Sequence, residues 1–173
     1  MAKIAKSAVP NTFTLGNLSC GIMSLMMTFQ QNYRWACLFI LLAGVMDRYD
    51  GRVARFLKVD SPIGKELDSL ADLVSFGVAP SILIFHTYNF VNLGILGYIL
   101  VLLFPIAGAY RLAKFNITEF DGQFSGIPIT IAGMVLALFN LVTLGKNVLP
   151  TFTIILVVAL SYLMVSNVKL KKF

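Results

Sequence analysis

The sequence contains few charged residues. Only 13% of its 173 residues are Asp, Glu, Lys or Arg, which is about half the share in an ordinary soluble domain. By contrast, 58% of the residues are hydrophobic, and the mean hydropathy is +0.83. A soluble fold of this size would leave too much apolar surface in water, so the composition predicts an integral membrane protein.

Residues that bind soft metals are scarce as well. The chain has two cysteines, Cys20 and Cys37, in apolar runs without a C-x-x-C motif, and a single histidine, His86. We interpret both cysteines as core or lipid-facing residues. One histidine without a second His or a Cys nearby argues against a zinc site.

Apolar segments of the length of a membrane-spanning helix, about 20 residues, follow one another along the chain. Polar stretches such as QQNYR, KVDSP and GKNVLP separate them, and neither a repeat nor a second domain is evident. Because a lipid-exposed backbone must satisfy its own hydrogen bonds, these segments are expected to be helical. The sequence therefore predicts an all-α, polytopic integral membrane protein with one membrane-embedded domain over residues 1–173. Its six transmembrane helices are expected at roughly 12–29, 33–56, 62–86, 94–115, 127–145 and 149–167.

The distribution of basic residues predicts the orientation in the membrane. With six spans, twelve of the fourteen Lys and Arg residues lie on the side of both termini, and only Arg34 and Lys146 lie on the other. Cytoplasmic loops carry the excess of Lys and Arg, so both termini are expected in the cytoplasm. The net charge of +6 then reflects these loops and the anionic membrane surface, and no nucleic-acid partner is expected.

The acidic residues are concentrated in the stretch GVMDRYDGRVARFLKVDSPIGKELDSLADLVSFGVAP. Six of the eight acids lie between Asp47 and Asp72, together with five of the fourteen bases. The apolar run before Asp47 is too short to cross about 30 Å of hydrocarbon at about 1.5 Å per residue. The second helix should therefore continue through Ala54, and Ser61-Pro62 should begin the third. Both helices then place carboxylates at or just inside the cytoplasmic interface.

Helical periodicity predicts that four of these acids form two facing stripes. At about 100° per residue, positions three, four and seven apart share one face of a helix. The stripes contain four aspartates, three small residues and one arginine: Asp47, Asp50, Gly51, Ala54 and Arg55 on the second helix, and Gly64, Asp68 and Asp72 on the third.

Four carboxylates in a low dielectric need either protons or divalent cations. Oxygen ligands without His or Cys favour Mg²⁺, Mn²⁺ or Ca²⁺, and Mg²⁺ leaves coordination positions for substrate phosphates. The small residues leave room for a ligand, and the arginine suits a phosphate. The pattern therefore predicts a diphosphate site with two metal ions. The alternative is an interfacial salt-bridge belt with neighbouring Arg and Lys residues, which leaves the small residues on the acidic faces unexplained.

The spacing D-x2-D-G-x2-A-R-x8-G-x3-D-x3-D resembles the signature of the CDP-alcohol phosphotransferase family, and every fixed position is matched. Four further stretches resemble the membrane-embedded phosphatidylserine synthases of that family: PNTFTLGNLSCG, KELDSLADLVSFGVAPS, YRLAKFN and FSGIPIT. The resemblance extends over residues 9–130, and the last two helices are generic.

This resemblance implies transfer of a phosphatidyl group from CDP-diacylglycerol to L-serine, with phosphatidylserine and CMP as products. It implies a homodimer and two divalent ions, Mg²⁺ or Mn²⁺, at the positions Asp47, Asp50, Asp68 and Asp72. Asp72 is also implied as the general base. The implied CDP-diacylglycerol-binding positions are Asp50, Gly51, Ala54, Arg55 and Gly64. A direct displacement is favoured, because no Ser, Cys or Lys is placed beside a base as an activated nucleophile.

Other polar residues are candidates for binding serine or for joining helices. Arg111 and Asn116, near the cytoplasmic end of the fourth helix, are candidates for serine binding, although Arg111 could equally be an interfacial anchor. The first helix carries Asn11, Thr14 and Asn17 on one face, which we interpret mainly as interhelical hydrogen-bonding groups.

Three alternative functions compete with this one. Another member of the same family would use glycerol 3-phosphate or inositol phosphate as the acceptor, and the shared signature does not separate these. A divalent-cation transporter could also carry intramembrane acids, but its ion site would lie near the bilayer midplane, often between repeats. Intramembrane prenyltransferases also use Asp clusters with Mg²⁺, but with a different spacing.

Overall fold

The computed structural model describes residues 2–57, 62–117, 124–146, 150–166 and 169–170. Within these residues the chain forms six helices, which confirms the predicted all-α class: α1 Ala2–Phe29, α2 Tyr33–Leu57, α3 Pro62–Thr87, α4 Ile95–Ile117, α5 Ile129–Thr143 and α6 Pro150–Val165. A 3₁₀ turn, Phe90–Leu93, precedes α4. Two short strands, β1 Phe124–Ser125 and β2 Lys169–Leu170, pair in antiparallel register.

The helix ends coincide with the polar punctuation of the sequence. Gln31 and Asn89 adopt positive φ, 59° and 49°, where the chain reverses after α1 and after α3. Asn tolerates this left-handed conformation better than most residues. The second helix continues beyond Ala54 to Leu57, and α3 begins at Pro62, both as predicted. Ser61, the predicted cap, lies outside the described residues.

The chain is a membrane protein, but its helices differ in their capacity to span a bilayer. Three apolar helical stretches, Asn11–Phe29, Pro62–Thr87 and Ile95–Ile117, have the length and hydropathy of a membrane span. Helices α5 and α6 have 15 and 16 residues, and therefore extend only about 22–24 Å along their axes. Helix α2 carries charged residues in its second half. Six complete crossings therefore stay a prediction.

Helix α3 lies at the centre of the bundle. Inside the protein, 56% of the apolar stretch of α3 is buried, compared with 28% for α1 and 22% for α4. Helix α3 consists of an α-helical part, Pro62–Asp72, a π-helical part, Leu73–Val78, and a second α-helical part, Ala79–Thr87. π-Helical turns occur frequently at functional sites. This one begins directly after Asp72, so the change of helical pitch falls beside the predicted acidic site.

Glycines allow close contacts between helices in and around the π-helical part of α3. A Cβ atom at Gly21 of α1 would lie 2.9 Å from the Cα of Ser75. A Cβ atom at Gly133 of α5 would lie 2.7 Å from the Cα of Phe76. At Gly108 of α4 the nearest atoms belong to Ile129, the first residue of α5. Small residues at such crossings are typical of helix packing in membranes.

We expect Gly133→Ala to destabilise the protein, although alanine is the better helix former. The added methyl group meets backbone atoms of Phe76, which cannot rotate away. Overpacking typically costs about 1–3 kcal/mol, which outweighs a helix-propensity gain of about 1 kcal/mol. Thermal unfolding in detergent should show a lower midpoint than the wild type. Gly16→Ala is the matched control, since its nearest neighbour, Met46 Sδ, lies at 3.8 Å; a similar midpoint for both variants would contradict this packing.

A polar cluster joins the helices at the end of the bundle remote from the acids. The Asn140 amide of α5 donates to Thr87 Oγ1 at 3.2 Å and contacts Cys37 Sγ at 3.6 Å. Tyr88 and Thr143 hydrogen-bond each other through their hydroxyls. Thr87 follows Asp72 on α3 by fifteen residues, which corresponds to about 22 Å along a helix. This cluster is therefore structural and separate from the acidic site.

Candidate metal and diphosphate site

Three of the four predicted aspartates converge in the structure. Carboxylate oxygens of Asp47, Asp68 and Asp72 all lie within 4.8 Å of one another. Asp47 comes from the second half of α2, and the other two come from one face of the first part of α3. Asp72 is almost fully buried, with 7% of its surface exposed. The predicted convergence of carboxylates from the two helices is thus present for three of the four aspartates.

Asp50 lies beside this group but is directed towards α1. Its carboxylate accepts a hydrogen bond from the Thr14 hydroxyl, and both residues are buried. Asp50 still acts electrostatically on Asp47 and Asp68. The arrangement is therefore three carboxylates with close oxygens and a fourth at the edge, and Thr14 fixes the position of the fourth.

Asp72 is held by neutral donors from two other helices. Asn17 Nδ2 of α1 donates to Asp72 Oδ1 at 2.9 Å, and Thr130 Oγ1 of α5 lies 3.4 Å from Asp72 Oδ2. Thr130 also interacts with Asp47. The sequence interpretation gave Thr14 and Asn17 an interhelical role and did not single out Thr130. Thr130 could have been found from the sequence because, like Thr14 and Asn17, it is a polar residue on an otherwise apolar helix.

The negative charge of the group is not balanced by ion pairs within the described part of the chain. There, none of the four aspartates has a Lys or Arg nitrogen within 4.0 Å, and their hydrogen-bond donors are neutral. The interfacial salt-bridge belt is therefore not formed by the described residues. Close carboxylates that lack cationic partners are a donor set suited to a hard divalent ion, so these residues fit a divalent-metal site.

The residues predicted to bind the nucleotide lie on the same two helices. Gly51 is exposed, and a Cβ atom there would meet only Arg55 Nη2, at 4.0 Å. The Arg55 side chain folds back along α2, where its Nε donates to the Gly51 carbonyl at 2.8 Å. Gly64 is partly buried on α3. Ala54 belongs to α2, and its side chain lies outside the described part. An open surface therefore adjoins the acids at Gly51.

The two candidates for serine binding have different surroundings. Arg111 of α4 is partly buried, and its charge interacts with that of Asp72. Its buried Nε has no hydrogen-bond partner among the described residues. Asn116 instead donates to Ser69 Oγ at 3.0 Å and to the Glu66 carboxylate at 3.3 Å. Arg111 thus has a donor available at the site, whereas the Asn116 amide joins α4 to α3.

Comparison with known protein families identifies the chain as a whole. The model of the CDP-alcohol phosphatidyltransferase family matches residues 7–170. The chain belongs to this family. The match extends over all six helices, beyond residues 9–130 on which the resemblance was based, and it includes every aspartate of the cluster. Family membership also makes the protein a transferase, and the transporter and prenyltransferase alternatives are set aside.

Similar proteins cover most of the chain. The CDP-diacylglycerol–serine O-phosphatidyltransferase of Bacillus subtilis (strain 168) is 40% identical over 166 residues, which are 95% of this chain and 90% of that protein. The protein of the same name from Helicobacter pylori (strain ATCC 700392 / 26695) is 39% identical over 171 residues, 95% of this chain and 72% of that protein. The archaetidylserine synthase of Methanothermobacter thermautotrophicus is 33% identical over 168 residues, which are 94% of this chain and 69% of that protein.

Proposed function

We propose that this protein transfers the phosphatidyl group of CDP-diacylglycerol to the hydroxyl of L-serine, giving phosphatidylserine and CMP. The observation that carries the proposal is the 40% identity, over 95% of the chain, to a CDP-diacylglycerol–serine O-phosphatidyltransferase. The acidic cluster supports it, because Asp47, Asp68 and Asp72 present close carboxylate oxygens between α2 and α3. Such a cluster suits a reaction that displaces CMP from a diphosphate.

The cofactors in this proposal are two divalent ions, Mg²⁺ or Mn²⁺. Asp47, Asp68 and Asp72 would hold them, together with Asp50 at the edge of the group. When bound, the ions would neutralise the diphosphate and the charge that develops on the departing CMP. The all-oxygen donor set and the absence of ion pairs among the described residues are the structural support for this assignment.

The chain's own residues bind the substrates and move one proton. Asp72 takes the proton of the serine hydroxyl as the O–H bond breaks. The serine oxygen forms a bond to the phosphorus that carries diacylglycerol, the bond from that phosphorus to the CMP oxygen breaks, and CMP leaves. Thr130 and Asn17 keep the Asp72 carboxylate in place. No covalent enzyme intermediate is required.

Substrate recognition in this proposal uses both sides of the acidic group. Asp50, Gly51, Ala54, Arg55 and Gly64 bind the CDP end of the donor. Arg111, whose charge interacts with that of Asp72, binds the serine carboxylate through its guanidinium. Asn116 contributes by holding α4 against α3 at Ser69.

The protein is proposed to be multi-pass, with both termini and the active site facing the cytoplasm. The support is the asymmetry of charge, since twelve of the fourteen Lys and Arg residues fall on one side of six spans. An interfacial site lets the acyl chains stay in lipid while serine arrives from water. We also propose that the protein forms a homodimer in the cell membrane.

Gly51→Ala separates ligand binding from folding. The structure has room for the methyl group, and alanine favours the helix by about 1 kcal/mol, so the free energy of unfolding should hold or rise. If the diphosphate lies against Gly51, the methyl group should raise KM for CDP-diacylglycerol about tenfold, which corresponds to about 1.4 kcal/mol of lost binding. CMP release at varied donor concentration measures this. Gly16→Ala serves as the control, and an unchanged KM in Gly51→Ala would remove Gly51 from the nucleotide site.

The acceptor is tested by measuring CMP release from labelled CDP-diacylglycerol by the purified protein. L-Serine, glycerol 3-phosphate and inositol phosphate are supplied separately at equal concentration with Mg²⁺ or Mn²⁺. Serine should support release well above the acceptor-free rate, and the phosphorylated acceptors should not. Release with glycerol 3-phosphate but not with serine would assign the chain to another branch of the same family.

A further inference from the structure

Asn17 of α1 is attached to the acidic site in two directions. Its side-chain amide donates to Asp72 Oδ1 at 2.9 Å, and its backbone carbonyl accepts a hydrogen bond from Ser75 Oγ at 2.9 Å. Ser75 belongs to the π-helical part of α3, directly after Asp72. Gly21, one turn further along α1, permits this approach, because a Cβ atom there would lie 2.9 Å from the Ser75 Cα. The amide of Asn17 is thereby held in register with Asp72.

The orientation of the Asn17 amide is also fixed. Asn17 is completely buried, and its Oδ1 has no hydrogen-bond partner among the described residues. Leaving a buried polar atom unpaired is unfavourable. The reversed amide would place Oδ1 against the Asp72 carboxylate, where two acceptors repel each other and no hydrogen bond forms. The donor orientation towards Asp72 is therefore retained although it leaves Oδ1 unpaired.

The two oxygens of Asp72 differ as a result. Oδ1 accepts a hydrogen bond of normal length from Asn17, whereas Oδ2 faces Thr130 at 3.4 Å, the outer limit for a hydrogen bond. Oδ2 therefore has more capacity to accept a proton from a substrate hydroxyl. A carboxylate without the Asn17 contact could rotate about its terminal torsion, which is broad for aspartate.

We propose that Asn17 is a positioning residue for the reaction, which fixes the Asp72 carboxylate so that Oδ2 faces the acceptor hydroxyl. This inference deepens the proposed function and rests on it for the role of Asp72. The residue acts through Asp72 and does not itself touch the substrate. Its loss should therefore lower kcat and leave substrate affinity largely unchanged.

The test compares Asn17→Leu with Asn140→Leu in the full-length protein in detergent–lipid micelles. Both asparagines are completely buried and both donate across helices, but Asn140 lies in the remote polar cluster. We expect Asn17→Leu to reduce kcat about 50-fold, within the contribution of general-base catalysis. Its KM for CDP-diacylglycerol should stay within about threefold of wild type, a difference of less than about 0.7 kcal/mol. Asn140→Leu should lose thermal stability to a similar extent and keep most of its kcat.

A second variant keeps the test decisive where leucine prevents folding. Asn17→Ser is smaller and polar, and its short hydroxyl leaves Asp72 Oδ1 unpaired, so the same loss of kcat is expected. The midpoint of thermal unfolding with and without Mn²⁺ gives a readout besides activity. The Mn²⁺-induced increase should persist in the Asn17 variants, because the positions of Asp47 and Asp68 are unchanged.

Two outcomes would contradict a positioning role for Asn17. A kcat loss in Asn17→Leu no larger than in Asn140→Leu at equal thermal stability would reduce Asn17 to a packing role. A raised KM with unchanged kcat would make it a substrate-binding residue instead. The wild-type acceptor assay is run first, and the variants are then assayed with whichever acceptor supports CMP release. Failure of serine as the acceptor is thereby distinguished from failure of the Asn17 inference.

Discussion

Asp72→Asn is expected to reduce turnover by about 10³-fold or more, because general-base catalysis contributes about 10²–10⁴-fold and the same carboxylate belongs to the metal cluster. The substituted amide has nearly the shape of the carboxylate, and its oxygen can still accept the hydrogen bond from Asn17 Nδ2. The fold should therefore persist. An amide cannot take the proton of the serine hydroxyl, so the chemical step is lost while part of the CDP-diacylglycerol affinity remains.

The measurement pairs CMP release with direct binding of CDP-diacylglycerol to the purified variant. Glu66→Gln is the control, because Glu66 is an exposed acid on the same helix that lies outside the cluster. It should keep most of its activity. Near-normal turnover in Asp72→Asn would show that another group accepts the proton, and loss of binding together with turnover would restrict Asp72 to metal or nucleotide binding.

Asp68→Asn should have the second large effect, and this effect should be visible in thermal stability as well as in turnover. The Asp68 carboxylate lies within 4.8 Å of oxygens of Asp47 and Asp72 and is subject to their negative charge. Among the described residues it accepts no hydrogen bond that would stabilise this charge. Removing it relieves repulsion in the metal-free protein but also removes a ligand, so turnover and metal binding should be lost together.

Thermal unfolding with a chelator and with excess Mn²⁺ measures both effects. Wild type should gain stability from the metal, about 2.7 kcal/mol at a concentration of 100 times Kd. Asp68→Asn should unfold at or above the wild-type temperature in the chelator and gain little from Mn²⁺. Asp47→Asn should behave in the same way. A full metal-induced gain in both variants would mean that the ions bind elsewhere.

The acidic stripes could be predicted from the sequence because they depend on local periodicity. Asp68 and Asp72 are four residues apart on one helix, so their common face follows from about 3.6 residues per turn. The length of the apolar run before Asp47 likewise predicts that α2 continues past the acids, and the structure confirms it to Leu57. These inferences require only one helix at a time.

The contacts between helices could not be predicted in this way. The pairing of Asp50 with Thr14 and the approach of Thr130 to Asp72 depend on how α1 and α5 pack against α2 and α3. Periodicity shows which residues share a face of a helix, but it does not show which other helix packs against that face. The π-helical part after Asp72 is a further example, because it coincides with the close packing of Gly21 and Gly133 against α3.

The central proposal is that the aspartate cluster carries out metal-dependent phosphatidyl transfer to serine. Its most direct test follows the label of L-[¹⁴C]serine into chloroform-extractable lipid, with the purified protein, CDP-diacylglycerol and Mg²⁺ or Mn²⁺. The label should enter lipid in equal amount to the CMP released, and chelation of the metal or Asp68→Asn should abolish both. CMP release without labelled lipid would show that serine is not the acceptor, and labelling that persists in the chelator would show that the transfer does not depend on metal.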